Sequence, residues 1–187
     1  MVTAEKKDIE KKILKVLLKD FTIKPTVTAL AREVGATRVG VWRAVKRMHS
    51  KKLIVLSSVS SGKTSIYTIS LNWDNPLLEK TLALLLTEES LRNQRWINNF
   101  SELEGKLDFL IIYGSAIYSQ KVVNDIDIMG VVSNKKKFLE IDGIIKKIQK
   151  TQLKRIHALN FTEAELKKEL EKPNKIFLDA LKRGIIL

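Results

Sequence analysis

At 187 residues and 44% hydrophobic content the chain can build one large core or two small ones, and without cysteine it excludes disulfides and thiolate metal sites. Its formal charge of +13 is unevenly placed: residues 1–75 hold 15 Lys/Arg against 6 Asp/Glu, giving +9 and leaving +4 for residues 76–187. No apolar signal core opens the chain and no apolar run nears the roughly 18 residues that span a bilayer, so no membrane association and a cytoplasmic location are expected.

Residues 4–19, AEKKDIEKKILKVLLK, place Ile9, Ile13, Val16 and Leu17 at helical spacing with lysines on the other face. A second, short helix through ALAREV takes Thr26 or Thr28 as its cap and Gly35 as its left-handed stop. Thr37 caps a third helix, TRVGVWRAVKRMHSKK, in which Val41, Ala44, Val45 and Met48 form the inward stripe. Arg38, Trp42, Arg43, Lys46 and Arg47 are left largely outward. Two strand-like segments, LIVLSSVS and SIYTISL, follow and are joined by SGKT. That turn is not a P-loop, because Ser57 stands where the motif needs glycine and a strand follows instead of a helix.

Three helices with a glycine turn before the last, then a hairpin, resemble the winged helix-turn-helix domains, most clearly in TRVGVWRAVKRMHSKKLI. The resemblance covers residues 1–75 and implies double-stranded DNA as partner, with the third helix in the major groove and the hairpin as a wing. It implies Arg38, Arg43, Lys46 and Arg47 as base or phosphate contacts, and Lys51, Lys52 and Lys63 as phosphate contacts. The basic excess of this segment agrees with a polyanionic partner. Trp42 stays open between DNA contact and packing, and His49 reads as structural.

After NWDNP, residues 77–98 are apolar at helical spacing and predict a long helix bridging to a second domain, 76–187. Strand LDFLIIYG, short helix SAIYSQK, strand DIDIMGVV, helix NKKKFLEIDGIIKKIQK, strand LKRIHAL and a helical tail predict a small mixed α/β sheet with flanking helices. Strand alternation sends Ile126 and Ile128 to one face and Asp125 and Asp127 to the other, with the two aspartates about 7 Å apart along the backbone. Aspartate is a poor strand former and like charges repel, so the pair calls for a hard divalent cation. Gly114-Ser115, where the preceding strand turns into a helix, offers backbone N–H groups and a hydroxyl to phosphate.

Gly-Ser, nine residues and then Asp-Ile-Asp on the next strand resembles the signature of the DNA polymerase β-like nucleotidyltransferases, specifically their minimal members. The resemblance spans roughly residues 100–165. It implies that Gly114 and Ser115 hold a nucleoside triphosphate, that Asp125 and Asp127 bind magnesium (or manganese), and that a nucleoside monophosphate passes to an acceptor hydroxyl.

Two features depart from that pattern. Relatives carry a third acidic residue on the following strand, but LKRIHALNF has none; Asp142 and Glu163 only bracket it, and His157 and Asn160 are poor substitutes. Relatives also carry arginine and glycine after Gly-Ser, where this chain has Ile117 and Tyr118. Loss of a positioned base slows transfer by about two to four orders of magnitude. Two readings therefore stay open. One is a DNA-binding regulator, expected to be a homodimer, whose transferase-like domain binds magnesium and nucleotide. The other is an active transferase that modifies a protein or small acceptor, as antitoxin relatives modify a toxin partner.

Overall fold

The computed structural model describes residues 2–20, 23–61, 64–119, 123–171 and 175–187. Among these residues are nine helices and two small sheets, divided between two compact units, Met1–Leu85 and Leu86–Leu187. No helix among them is long and apolar enough to cross a membrane.

The first unit begins with α1 (Val2–Lys19), α2 (Val27–Glu33) and α3 (Arg38–Ser50). Thr26 Oγ1 accepts the Ala29 N–H at 3.3 Å and Thr37 Oγ1 accepts the Gly40 N–H at 3.1 Å. Each threonine satisfies a donor that the first helical turn leaves without an intrahelical partner, so both helices start where expected. Gly35, at φ +65°, makes the left-handed turn between them. Antiparallel β1 (Ile54–Ser61) and β2 (Thr64–Leu71) form the hairpin, with Ile54 opposite Leu71. Lys63, in its turn, lies outside the described residues.

Ile13, Leu14 and Leu17 of α1 meet Leu30 of α2, the α3 stripe Val41, Ala44, Val45 and Met48, and Ile54 and Ile69 of the hairpin. Each large aliphatic side chain buried in this way contributes about 1.5–3 kcal/mol. Leu14 sits deep in this core, whereas Ile9 and Val16 are only partly buried, so the inward stripe of α1 is turned slightly from the one its spacing predicts. One contact has no signature in the sequence: the Ile69 N–H donates to the Pro25 carbonyl at 3.0 Å and Thr26 bridges Thr68, tying the α1–α2 connection to the hairpin.

Helix α4 (Pro76–Arg92) places Leu78, Leu82 and Leu85 in this same core. The division between units therefore falls after Leu85 rather than after residue 75. The helix also stops short of residue 98. It ends at Arg92, and Asn93 separates it from α5 (Gln94–Asn99).

The second unit is built on β3 (Phe109–Tyr113), β4 (Asp125–Val132), β5 (Arg155–Thr162) and the two-residue β6 (Ile185–Ile186), in the order β5-β4-β3-β6. β4 and β5 are parallel, while β3 is antiparallel to both β4 and β6. The parallel step needs a crossover, which α7 (Phe138–Gln149) supplies. Its Ile141, Ile145 and Ile148 join Trp96, Phe100 and Leu103 over Ile126 and Ile128 on one face of the sheet.

On the other face, α8 (Glu163–Glu171) and α9 (Lys175–Arg183) bring Leu166, Phe177 and Ala180 onto Ile111, Met129 and Val131. α8 starts with a capping box: Thr162 Oγ1 accepts the Glu165 N–H at 3.2 Å, and a Glu165 carboxylate oxygen accepts the Thr162 N–H at 3.0 Å. Lys135, with the Thr162 N–H and hydroxyl that both donate to the carboxylate, holds the Glu165 carboxyl down to about 2.

Gly184 closes this layer. A Cβ there would run into the Ala180 carbonyl oxygen and lie 2.5 Å from Ile111 Cγ2. Gly184→Ala is expected to destabilise the second unit by about 3 kcal/mol, the upper range for overpacking a core. Urea-dependent hydrogen exchange at the β3 and β4 amides measures this, and an unchanged midpoint would contradict the close approach.

Candidate functional site

Strand register sorts the sheet face under α8 and α9 into rows. Phe109, Val131 and Phe161 are cross-strand neighbours, as are Ile111, Met129 and Leu159; the next row is Tyr113, Asp127 and His157, and the last pairs Asp125 with Arg155. The chemistry changes from apolar to ionisable along one continuous surface. Asp125 and Asp127 fall on this face together because they alternate with Ile126 and Ile128, which are buried on the opposite side. The end of β3 and the starts of β4 and β5 thus meet at one end of the sheet.

Gly114 follows Tyr113 directly, at φ +75°, a conformation that L side chains rarely adopt. Its backbone rests against an aspartate side chain. A Cβ built at Gly114 would fall on Asp127 Oδ2 and lie 3.3 Å from Asp127 Cγ. The conformation favours glycine here, and a side chain would displace the Asp127 carboxylate. Ser115, exposed to solvent, is the next residue and opens α6 (Ser115–Tyr118). With only four residues, α6 adds little dipole, so the phosphate-binding capacity of this turn rests on its close backbone and the serine hydroxyl.

His157 stands over both aspartates. Its Nε2 is 3.9 Å from Asp125 Oδ1 and its Nδ1 is 3.7 Å from Asp127 Oδ1. By sequence alone His157 is a poor substitute for a third acid, yet the register places it beside Asp127 on the adjacent strand. The signal was present in the parallel pairing, which composition does not reveal. Tyr113, on the other side, has its hydroxyl pushed above the ordinary value by burial and, second, by the Asp127 charge. It remains a neutral hydrogen-bond donor at physiological pH.

The other acidic candidates lie elsewhere. Asp142 accepts a hydrogen bond from Asn160 Nδ2 at 3.1 Å, and Asn160 is three strand positions beyond His157, about 10 Å along β5. Glu163 begins α8, past the far end of the same strand. Among the described residues no group of three or more His, Cys, Asp or Glu is arranged to hold a metal ion. The two aspartates still fit magnesium, which is commonly held by one or two carboxylates, with phosphate oxygens and water completing its shell. Ile117 packs against the apolar cluster under α7, and the Tyr118 side chain lies outside the described residues.

The basic residues of the first unit separate into two groups. Val39, Arg43, Lys46 and Ser50 are all exposed and fall along one line of α3, three or four residues apart, opposite the buried stripe. Arg38 is exposed at the first position of the helix. Arg47 and Lys51, by contrast, turn to α1. Arg47 Nε donates to Glu10 Oε1 at 2.7 Å, and Lys51 Nζ donates to Glu10 Oε2 at 3.3 Å. Glu10 is largely covered, its side chain 16% exposed, so both cations are occupied in holding α1 to α3.

Lys52 is exposed at φ +57°, and its carbonyl accepts from Asn72 and Asn75. Trp42 packs on Tyr67 of the hairpin, ring centroids 5.7 Å apart, with Lys46 Nζ 5.2 Å from its ring. It braces the hairpin against α3. His49 Nδ1 lies 3.2 Å from the Ile54 carbonyl, in keeping with a structural role.

No protein-family model, no curated protein and no solved structure matches this chain.

Proposed function

We propose that the protein binds double-stranded DNA through a winged helix formed by its first unit, and magnesium with a nucleoside triphosphate through a nucleotidyltransferase-like second unit. One observation carries the nucleotide reading: the Gly114 backbone lies against Asp127, which makes the Gly-Ser turn and the aspartate pair neighbours. Two carboxylates on one strand face, next to a turn stripped of its side chain, are the parts that recognition of a metal-bound phosphate requires.

Asp125 and Asp127 would hold the metal, which when bound neutralises phosphate oxygens. The Gly114 turn leaves room for phosphate to approach the backbone, and the Ser115 hydroxyl donates to it. Tyr113 adds a neutral donor beside Asp127. His157 faces Asp127 on β5, the strand on which the nucleotidyltransferases that the chain resembles carry a third acid. That substitution favours nucleotide binding over turnover, and with it a regulator over a transferase.

Support for the DNA reading comes from the charge of the first unit and the exposed line containing Arg43 and Lys46. Arg47 and Lys51 also pair with Glu10, so Arg43 and Lys46 rank ahead of them as direct contacts. A homodimer agrees with Leu77, Leu84 and Leu91, exposed every seven residues along α4.

Calorimetric titration of each of the four triphosphates with magnesium should show binding to the wild type and at least a tenfold loss in the Asp125→Asn/Asp127→Asn variant, with its circular dichroism unchanged. Wild type that binds none of them contradicts the nucleotide reading, and labelled product from a supplied acceptor would favour the transferase. For DNA, Arg43→Ala/Lys46→Ala should lower the slope of log affinity against log salt by about 2, the value for two lost phosphate contacts. A slope equal to that of wild type would remove these residues from the interface.

A further inference from the structure

Val39 is 60% exposed on the first turn of α3, in line with Arg43 and Lys46. A β-branched residue on an open helix surface loses rotamer freedom and gains nothing from packing. Its surroundings are partly apolar as well. Beside it runs a shallow groove of about 810 Å³ between α3 and β2, with Thr26, Val27, Trp42, Ile66 and Tyr67 among its walls. Ile66 and Tyr67 are themselves 50% and 41% exposed. An apolar spot is thus set within a cationic helix face.

Resting on the DNA reading above, we infer that Val39 reads the C5-methyl group of a thymine in the major groove. Base edges there carry hydrogen-bond donors and acceptors, which valine cannot engage, and one apolar group, the thymine methyl. The cations that flank Val39 favour a polyanion over an apolar protein surface. Arg38 immediately precedes it, and Arg43 and Lys46 follow at one and two turns.

Reach decides the division of labour. Recognition helices touch base edges with their N-terminal residues, where a short side chain suffices. The longer Arg43 and Lys46 serve bases or phosphates from later turns. Trp42 does not compete for the position, because its ring packs on Tyr67 of the hairpin.

The test starts by selecting a preferred duplex from random sequence with the full chain. Each thymine of that duplex is then replaced in turn by deoxyuridine, which removes only the methyl group. Wild type should lose about three- to fivefold in affinity at one position, the worth of burying one methyl. Val39→Ala should bind the original duplex about that much more weakly and show no further loss at that deoxyuridine position. The variant is expected to fold, since the site is exposed and alanine is the better helix former.

A selected duplex indifferent to every such replacement overturns the Val39 assignment while leaving the DNA reading intact. So does a Val39→Ala protein that keeps the full deoxyuridine effect, or one that changes only in self-association by sedimentation. Failure to bind any duplex at low salt removes the DNA reading itself, and Val39's role with it.

Discussion

The contact between the Gly114 backbone and the Asp127 carboxylate is the constraint on which the rest of the second unit depends. It occurs where φ is +75° at the end of β3, and a side chain there would have to displace the carboxylate. It lies next to the last pair of the antiparallel β3–β4 register, in which Tyr113 faces Asp127. Once that register is set, alternation carries Asp125 to the same face, and parallel pairing with β5 brings His157 and Arg155 alongside. The ionisable cluster lies at the end of the sheet where the apolar rows beneath α8 and α9 stop. Five charged or titratable groups are therefore gathered without burying any of them unpaired in the core, where desolvation would be costly.

A comparable economy of charge shapes the first unit. Its excess of cations is not a uniform coat, because Glu10 withdraws Arg47 and Lys51 into a three-residue network joining α1 to α3. The outward line of α3 keeps Arg43, Lys46 and Val39. Trp42, half-buried between that line and the hairpin, couples the position of β2 to α3 through Tyr67. One helix thereby presents a core face, a bracing flank toward the hairpin, a paired flank toward α1 and one open line.

Much of this was legible in the sequence, and the limits have physical reasons. Short-range features were readable: the Thr37 cap, a cap at Thr26 or Thr28 that the structure resolves to Thr26, the Gly35 turn, the hairpin, and the alternation of Asp125 to Asp127, each of which depends on neighbours within a few residues. Long-range pairings were not. The bridge from Pro25 and Thr26 to β2, the strand β6, and the alliance of Glu10 with Arg47 and Lys51 join residues tens of positions apart, and no local pattern encodes them. The division within α4 was hidden for a related reason. Its leucines are spread around the helix, so spacing alone does not tell that Leu78, Leu82 and Leu85 belong to the first core. At the site, the two aspartates and the glycine were readable as motif, but the place of His157 needed the β4–β5 register.

The central claim is that the Gly114 turn and the aspartate pair form one binding site, and Gly114→Ala tests it most directly. Calorimetry of magnesium and the preferred triphosphate should show at least a tenfold loss of affinity in this variant. Its α-helical and β-sheet signal should match wild type. The added methyl displaces Asp127 and fills the cradle at once, so nucleotide and metal binding should fall together. A Gly114→Ala protein that binds both as tightly as wild type would contradict the account.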